Sequence, residues 1–225
     1  PDAWRFPRGT RLWKEFAYGS RVETRYLALG TDGRWRFASY VWAADGRSAQ
    51  RAPVEGRVLA VEDAPSGRYA VPSHDDCLTC HGGARSPVLG FGALQLGPAL
   101  PQWIDSGLIR HAPAAWRRQP PAMPGRSAAE RAARGYLHAN CGHCPHAAGG
   151  VPVPLVLAQD VPGSPAPSLP QLHEALRRMG TRQPLRQMPP LGTRITDPEG
   201  QALLRAWLDD IDRRSTTPIP KESPP

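Results

Sequence analysis

A chain of 225 residues with a formal net charge of +8 is long enough to bury one sizeable core or two small ones. Its 27 prolines and 22 glycines come to nearly double the usual share, which excludes a protein built mainly from long regular elements. Of 28 basic residues only Lys14 and Lys221 are lysines, and the arginines are spread along the chain, which argues against a dedicated nucleic-acid stripe. A positive surface of this kind suits an acidic protein partner, or an anionic membrane approached through one. The uncharged stretches 86–104 and 135–159 are broken by proline, glycine or histidine, so neither reads as a membrane span. No leader is visible, and a signal peptide is presumed to be missing ahead of Pro1.

In chain order, residues 1–72 read as a β-rich domain. A strand is expected over Leu12 to Tyr18. Val22, Thr24, Tyr26 and Ala28 then alternate with Arg21, Glu23, Arg25 and Leu27, Thr31-Asp32-Gly33 turns the chain, and Trp35, Phe37, Ser39 and Val41 alternate with Arg34, Arg36, Ala38 and Tyr40. After the Asp45-Gly46 turn, residues 54–71 add one or two short strands. This predicts an antiparallel meander with one aromatic face serving as core, and no acid–base pair, nucleophile triad or phosphate loop. Residues 73–126 form a cysteine-bearing segment with covering loops and a short helix near 101–110. Residues 127–213 form a mainly helical region. It opens with a helix to Asn140, continues through a Pro-rich loop over 147–170, and closes with an amphipathic helix capped by Thr196 or Asp197, whose Leu203, Leu204, Trp207, Leu208 and Ile211 make one apolar face. Residues 214–225 are expected to be disordered. The fold class is therefore α+β.

The four cysteines fall in two pairs with none left over. The first reads Cys77-Leu78-Thr79-Cys80-His81, and C-x-x-C-H is the attachment signature of c-type haem. Two cysteines three positions apart lie on one side of a helical turn, where both sulfurs can meet the vinyl groups of one porphyrin. The next residue then aims an imidazole at the iron. The second pair reads Cys141-Gly142-His143-Cys144-Pro145-His146, with the histidine one place late. One helical residue rotates a ligand by about 100° and advances it by about 1.5 Å. Pro145 itself cannot ligate iron, and it turns Cys144 away from helix. His146 as a shifted ligand, His138 or His143 as a substitute, and absent or substoichiometric haem are the outcomes this spacing allows. Two other readings stand beside haem. Cys141-Gly-His-Cys144 is the active-site tetrapeptide of protein disulfide isomerases, and the two pairs together could build a zinc-stabilised interaction module.

Haem iron commonly takes a second axial ligand from methionine or histidine. Met188, in Gln187-Met188-Pro189-Pro190-Leu191-Gly192, is the candidate at the second site, where the prolines stiffen an extended loop. For the first site the candidates are His74, His111, Met123 and His138.

A helix running into Asn140-Cys141-x-x-Cys144, the Met-Pro-Pro loop and a terminal helix carrying Trp207 resemble a class I cytochrome c domain over about 127–213. Pro72-Ser73-His74-Asp75-Asp76-Cys77 through His81-Gly82-Gly83, Pro87-Val88-Leu89-Gly90-Phe91, Gln95-Leu96 and Gly135-Tyr136-Leu137-His138-Ala139-Asn140-Cys141 resemble a bacterial periplasmic diheme c-type cytochrome family. The resemblance implies crossing first and last helices, covalent haem on Cys77, Cys80, Cys141 and Cys144, and iron ligation by His81 and Met188. The departure is Pro145, standing where that family has its second proximal histidine. The expectation is an electron carrier, or the haem subunit of an oxidoreductase, holding haem c outside the cytoplasm.

Overall fold

The structure, a computed structural model, describes residues 4–82, 86–143, 157–158 and 166–216. Four strands, β1 (Arg11–Tyr18), β2 (Ser20–Leu29), β3 (Trp35–Trp42) and β4 (Ala49–Arg51), form an antiparallel sheet in chain order. Each connection is a turn whose chemistry is local. Gly19 takes φ +65° between β1 and β2. Between β2 and β3, the Asp32 carboxylate accepts from the Arg34 amide and pairs with Arg36. β5 (Arg57–Ala60) and β6 (Arg68–Val71) make a separate two-stranded ribbon. Helices α1 (His74–His81), α2 (Ala93–Leu96), α3 (Leu100–Asp105), α4 (Ala128–Asn140), α5 (Leu169–Met179) and α6 (Pro198–Thr216) follow. The chain is α+β, with its strands first and its helices after them.

The register corrects the expected aromatic face. Arg25 pairs with Lys14 on one side and Ser39 on the other, while Leu27 pairs with Phe37 and Glu23 with Phe16 and Val41. Directly opposed residues share a face. The face bearing Trp35 and Phe37 therefore also carries Glu23 and Arg25, and Tyr26 points the other way with Trp13 and Tyr40. Trp13 stacks on Tyr26 yet stays 64% exposed. Aromatic residues line both faces, and the face over which α1 lies is the one that mixes them with charge.

Two apolar clusters hold the rest. Ala93, Leu100, Ile104 and Ile109 are buried with Trp4, Trp103 and Trp116 against them. Phe6 touches both Trp35 and Phe91, which joins this cluster to β3. The second cluster gathers Ala133 and Leu137 of α4, Leu172 and Met179 of α5, and Leu204, Trp207 and Leu208 of α6, with Leu157 closing it. α5 was not expected. Its Leu169 and Pro170 fall at the end of the segment read as loop, where Ser168 and Gln171 make a capping box with Pro170 in the first turn. The helix near 101–110 is shorter than expected, and α6 runs past Arg213 into the expected tail.

α4 and α6 run in opposite senses against each other. Ser127 caps α4 by accepting from the Glu130 amide, and its hydroxyl donates to Asp210 of α6 at 2.7 Å. At the other end Asp197, not Thr196, caps α6. One carboxylate oxygen accepts from the Gly200 amide at 2.9 Å and the other from the Tyr136 hydroxyl at 2.8 Å. The Tyr136 ring lies so close over Gly200 that any side-chain carbon there would sit well inside contact distance.

Gly200→Ala separates two effects of opposite sign. Helix propensity alone would stabilise by about 1 kcal/mol, whereas forcing a methyl against a ring pinned by its hydroxyl costs about 1–3 kcal/mol. We expect a net loss of stability by urea denaturation, and recovery when Tyr136→Ala is added to remove the ring. A net gain in the single variant would show that the ring moves aside freely.

Candidate functional site

The first cysteine pair sits on a helix whose start is fixed by its own sequence. The Ser73 hydroxyl accepts from the Asp76 amide at 3.0 Å and the Asp76 carboxylate accepts from the Ser73 amide at 2.9 Å. α1 begins directly after β6, so the ribbon delivers it onto the sheet, and the His74 amide donates to the Val54 carbonyl. Cys77, Cys80 and His81 stand at i, i+3 and i+4, the positions that share one helix face. All three are half-buried, whereas Leu78 and Thr79 between them are exposed. Both sulfur atoms and the imidazole thus occupy the same side of one short helix.

His81 is held from two directions. Its ring lies 5.2 Å from the Phe37 ring of β3, and its Nδ1 is 2.5 Å from the Pro87 carbonyl oxygen. A carbonyl can only accept, so Nδ1 carries the proton and the lone pair rests on Nε2. Burial pushes the His81 pKa down, which keeps the ring neutral. A neutral imidazole oriented by a backbone carbonyl, with Nε2 as its base, is the form in which histidine ligates a metal.

Cys77 lies near a charged group that sequence reading missed. Glu23 of β2 is fully buried and accepts from Arg25 Nε at 3.0 Å, from Arg25 Nη2 at 3.1 Å and from the Tyr69 hydroxyl of β6 at 2.5 Å. Arg25 is one-third exposed and its guanidinium sits 4.3 Å from the Phe16 ring. Burial raises the Cys77 thiol pKa, with Arg25 opposing and Glu23 and Asp76 adding to the rise. Tyr69 is likewise held off ionisation, by burial and by Glu23. A raised thiol pKa is the opposite of what a dithiol catalyst needs. The available signal was the strand alternation, which puts Glu23 and Arg25 on one face. Charged residues at such positions read as solvent-facing until the register is known.

Of the other candidates near the first pair, His74 is exposed on α1 itself, which leaves it on the same side as His81, and His111 is exposed in a loop. Met123 and His138 are half-buried. The described contacts bring none of these four onto His81.

At the second pair, α4 ends at Asn140, and the Leu137 carbonyl accepts from both the Cys141 and Gly142 amides. Cys141 packs against the buried cluster of α4, α5 and α6. Gly142 is pressed between the His138 carbonyl and Ala158, where an added Cβ would lie 2.8 Å and 2.9 Å from backbone atoms. Cys144, Pro145 and His146 lie outside the described residues, as does Gly83 after the first motif. Met188 is half-buried, and its loop is tied to the end of α5: the Met188 amide donates to the Arg178 carbonyl, and Arg182 Nη2 donates to the carbonyls of Met179 and Met188. Burial raises the Tyr136 pKa, with Asp197 adding to the rise, and Tyr136 and Cys141 both pack against the same buried cluster.

The residues present fit haem at the first pair, where an oriented neutral imidazole and two thiols share one face. At the second pair the fit rests on Arg182, whose Nε is buried with no hydrogen-bond partner among the described residues. A carboxylate such as a porphyrin propionate would satisfy it. Among the described residues no three or more His, Cys, Asp or Glu side chains converge as a metal-holding group. No family model, no curated protein and no solved structure matches this chain.

Ser73→Ala removes the hydroxyl that caps α1. A lost cap costs about 1 kcal/mol. We expect that loss in urea denaturation, and unchanged stability in Ser73→Asp, which keeps a capping oxygen.

Proposed function

We propose that the chain is an electron-transferring c-type cytochrome with haem c attached through Cys77 and Cys80 and ligated by His81. The observation that carries this reading is the shared helix face of the three residues together with the Nδ1 bond from His81 to Pro87. Haem supplies an iron that takes up and releases one electron. The chain's own part is to hold the imidazole in one tautomer, exclude water with Phe37 and the loop carrying Pro87, and fix the local charge. Haem attachment to thiols occurs outside the cytoplasm, so the proposed location is the bacterial periplasm. Among the described residues no helix is long and apolar enough to cross a membrane. The arginine-rich surface suits an acidic redox partner.

The second site is proposed as an atypical one, with Cys141 and Cys144 as thioether positions, Met188 on the distal side and His146 as the displaced proximal candidate. The disulfide-exchange reading needs a helix leaving the motif, and α4 instead runs into it. The Met188 loop, and an Arg182 Nε without a hydrogen-bond partner among the described residues, favour a cofactor there over a dithiol.

Production with the periplasmic haem-attachment machinery, followed by a pyridine haemochrome count, tests both sites. We expect close to one haem per chain, lost in Cys77→Ala/Cys80→Ala and raised toward two when Pro145 is deleted. Acid-acetone extraction that leaves wild-type haem content in the double variant would overturn the first assignment. A count of two in the unaltered chain would overturn the displaced-histidine argument, and Met188→Ala would then be expected to abolish the near-infrared sulfur-to-iron band.

A further inference from the structure

The reading above does not use the buried charges under α1. We propose that the Glu23–Arg25 pair, held by Tyr69, sets the reduction potential of the group bound at Cys77, Cys80 and His81, its two charges acting in opposite directions. The proposal rests on the haem reading of that site.

A carboxylate with no exposed surface and two bonds from one guanidinium is an expensive thing to bury in a sheet face. Replacing a buried ion pair by well-packed apolar residues is often neutral or stabilising. The pair also lies where its charges act on the site. Phe37, which stacks on His81, is on the same face and pairs with Leu27, two residues along β2 from Arg25. Tyr69, which donates to Glu23, stands in the ribbon that runs straight into the Ser73 cap of α1. Among the described residues, Lys14, opposite Arg25 on β1, and Asp76, in the first turn of α1, are further charges on this side.

The physics gives the signs. Oxidation adds one positive charge at the iron. A nearby guanidinium opposes that gain and raises the potential, and a nearby carboxylate favours it and lowers the potential. Both act through a half-buried, low-dielectric wall, where salt screens them less than it screens surface charges.

The test is spectroelectrochemical titration, at neutral pH and raised salt, of haem-loaded wild type, Arg25→Gln, Arg25→Lys, Glu23→Gln and the Arg25→Gln/Glu23→Gln pair. Arg25→Gln is expected to lower the midpoint potential and Glu23→Gln to raise it. Arg25→Lys should stay near wild type, and the double variant should return toward it. A merely structural role predicts something else: either substitution would loosen the wall, admit water and move the potential the same way. Same-direction shifts, or no shift in either single variant, would overturn the proposal. If Glu23→Gln does not fold, the contrast between Arg25→Gln and Arg25→Lys decides alone. A haem count of zero in the wild type would instead overturn the reading of the site, a failure separate from a normal count with unmoved potentials.

Discussion

Glu23 is fully buried in the sheet, so its charge has to be met by protein. That requirement is satisfied from two places in the sequence. Arg25 comes from the same strand, and Tyr69 comes from a ribbon closed 46 residues later. The bond from Tyr69 to Glu23 fixes the ribbon against the four-stranded sheet. The ribbon in turn fixes where α1 begins, since β6 leads directly into the Ser73 cap. The helix then has one side turned to the sheet, and that side carries both cysteines and the histidine. The position of the first site therefore follows from a buried acid that takes no part in ligation.

The C-terminal region solves a different problem by different means. Its helices meet over small and aromatic residues. Gly200 lets Tyr136 approach, and Asp197 caps α6 while anchoring that ring. Gly142 lets the segment at Ala158 cross closely over the end of α4. The two glycines trade a side chain for proximity, and Tyr136 and Cys141 end against one buried cluster. The buried Glu130–Arg134 pair on α4, with a separation of 3.2 Å, adds a charged link inside the first of these helices.

Much of this was legible in the sequence because it depends on local rules. The β2–β3 turn is written in Thr31-Asp32-Gly33, α4 in Ser127 and its apolar spacing, α6 in Asp197-Pro198 and its Leu/Trp stripe. The first candidate site was legible as Cys77, Cys80 and His81 for the same reason. What escaped is whatever needs two distant segments at once. The burial of Glu23 escaped because alternation names two faces without saying which one is covered. α5 was hidden by the prolines before it, although Ser168 to Gln171 carries a complete start signal. The contact between Tyr136 and Gly200 joins residues that no local pattern relates.

The pleat gives the first site an odd-and-even character. Glu23, Arg25 and Leu27 face α1, while Thr24 and Tyr26 face away, and only the register of β2 against β1 and β3 decides which set is which. Side chains alternate with a period of two. A single-residue slip of β2 would put Thr24 and Tyr26 beneath the cysteines and turn the charged pair outward, even though every residue remained in a strand. The turns at Gly19 and at Asp32 are thus counters as well as corners. Evolution can vary their composition, but insertions or deletions that move β2 by an odd number of residues exchange the whole lining of the site.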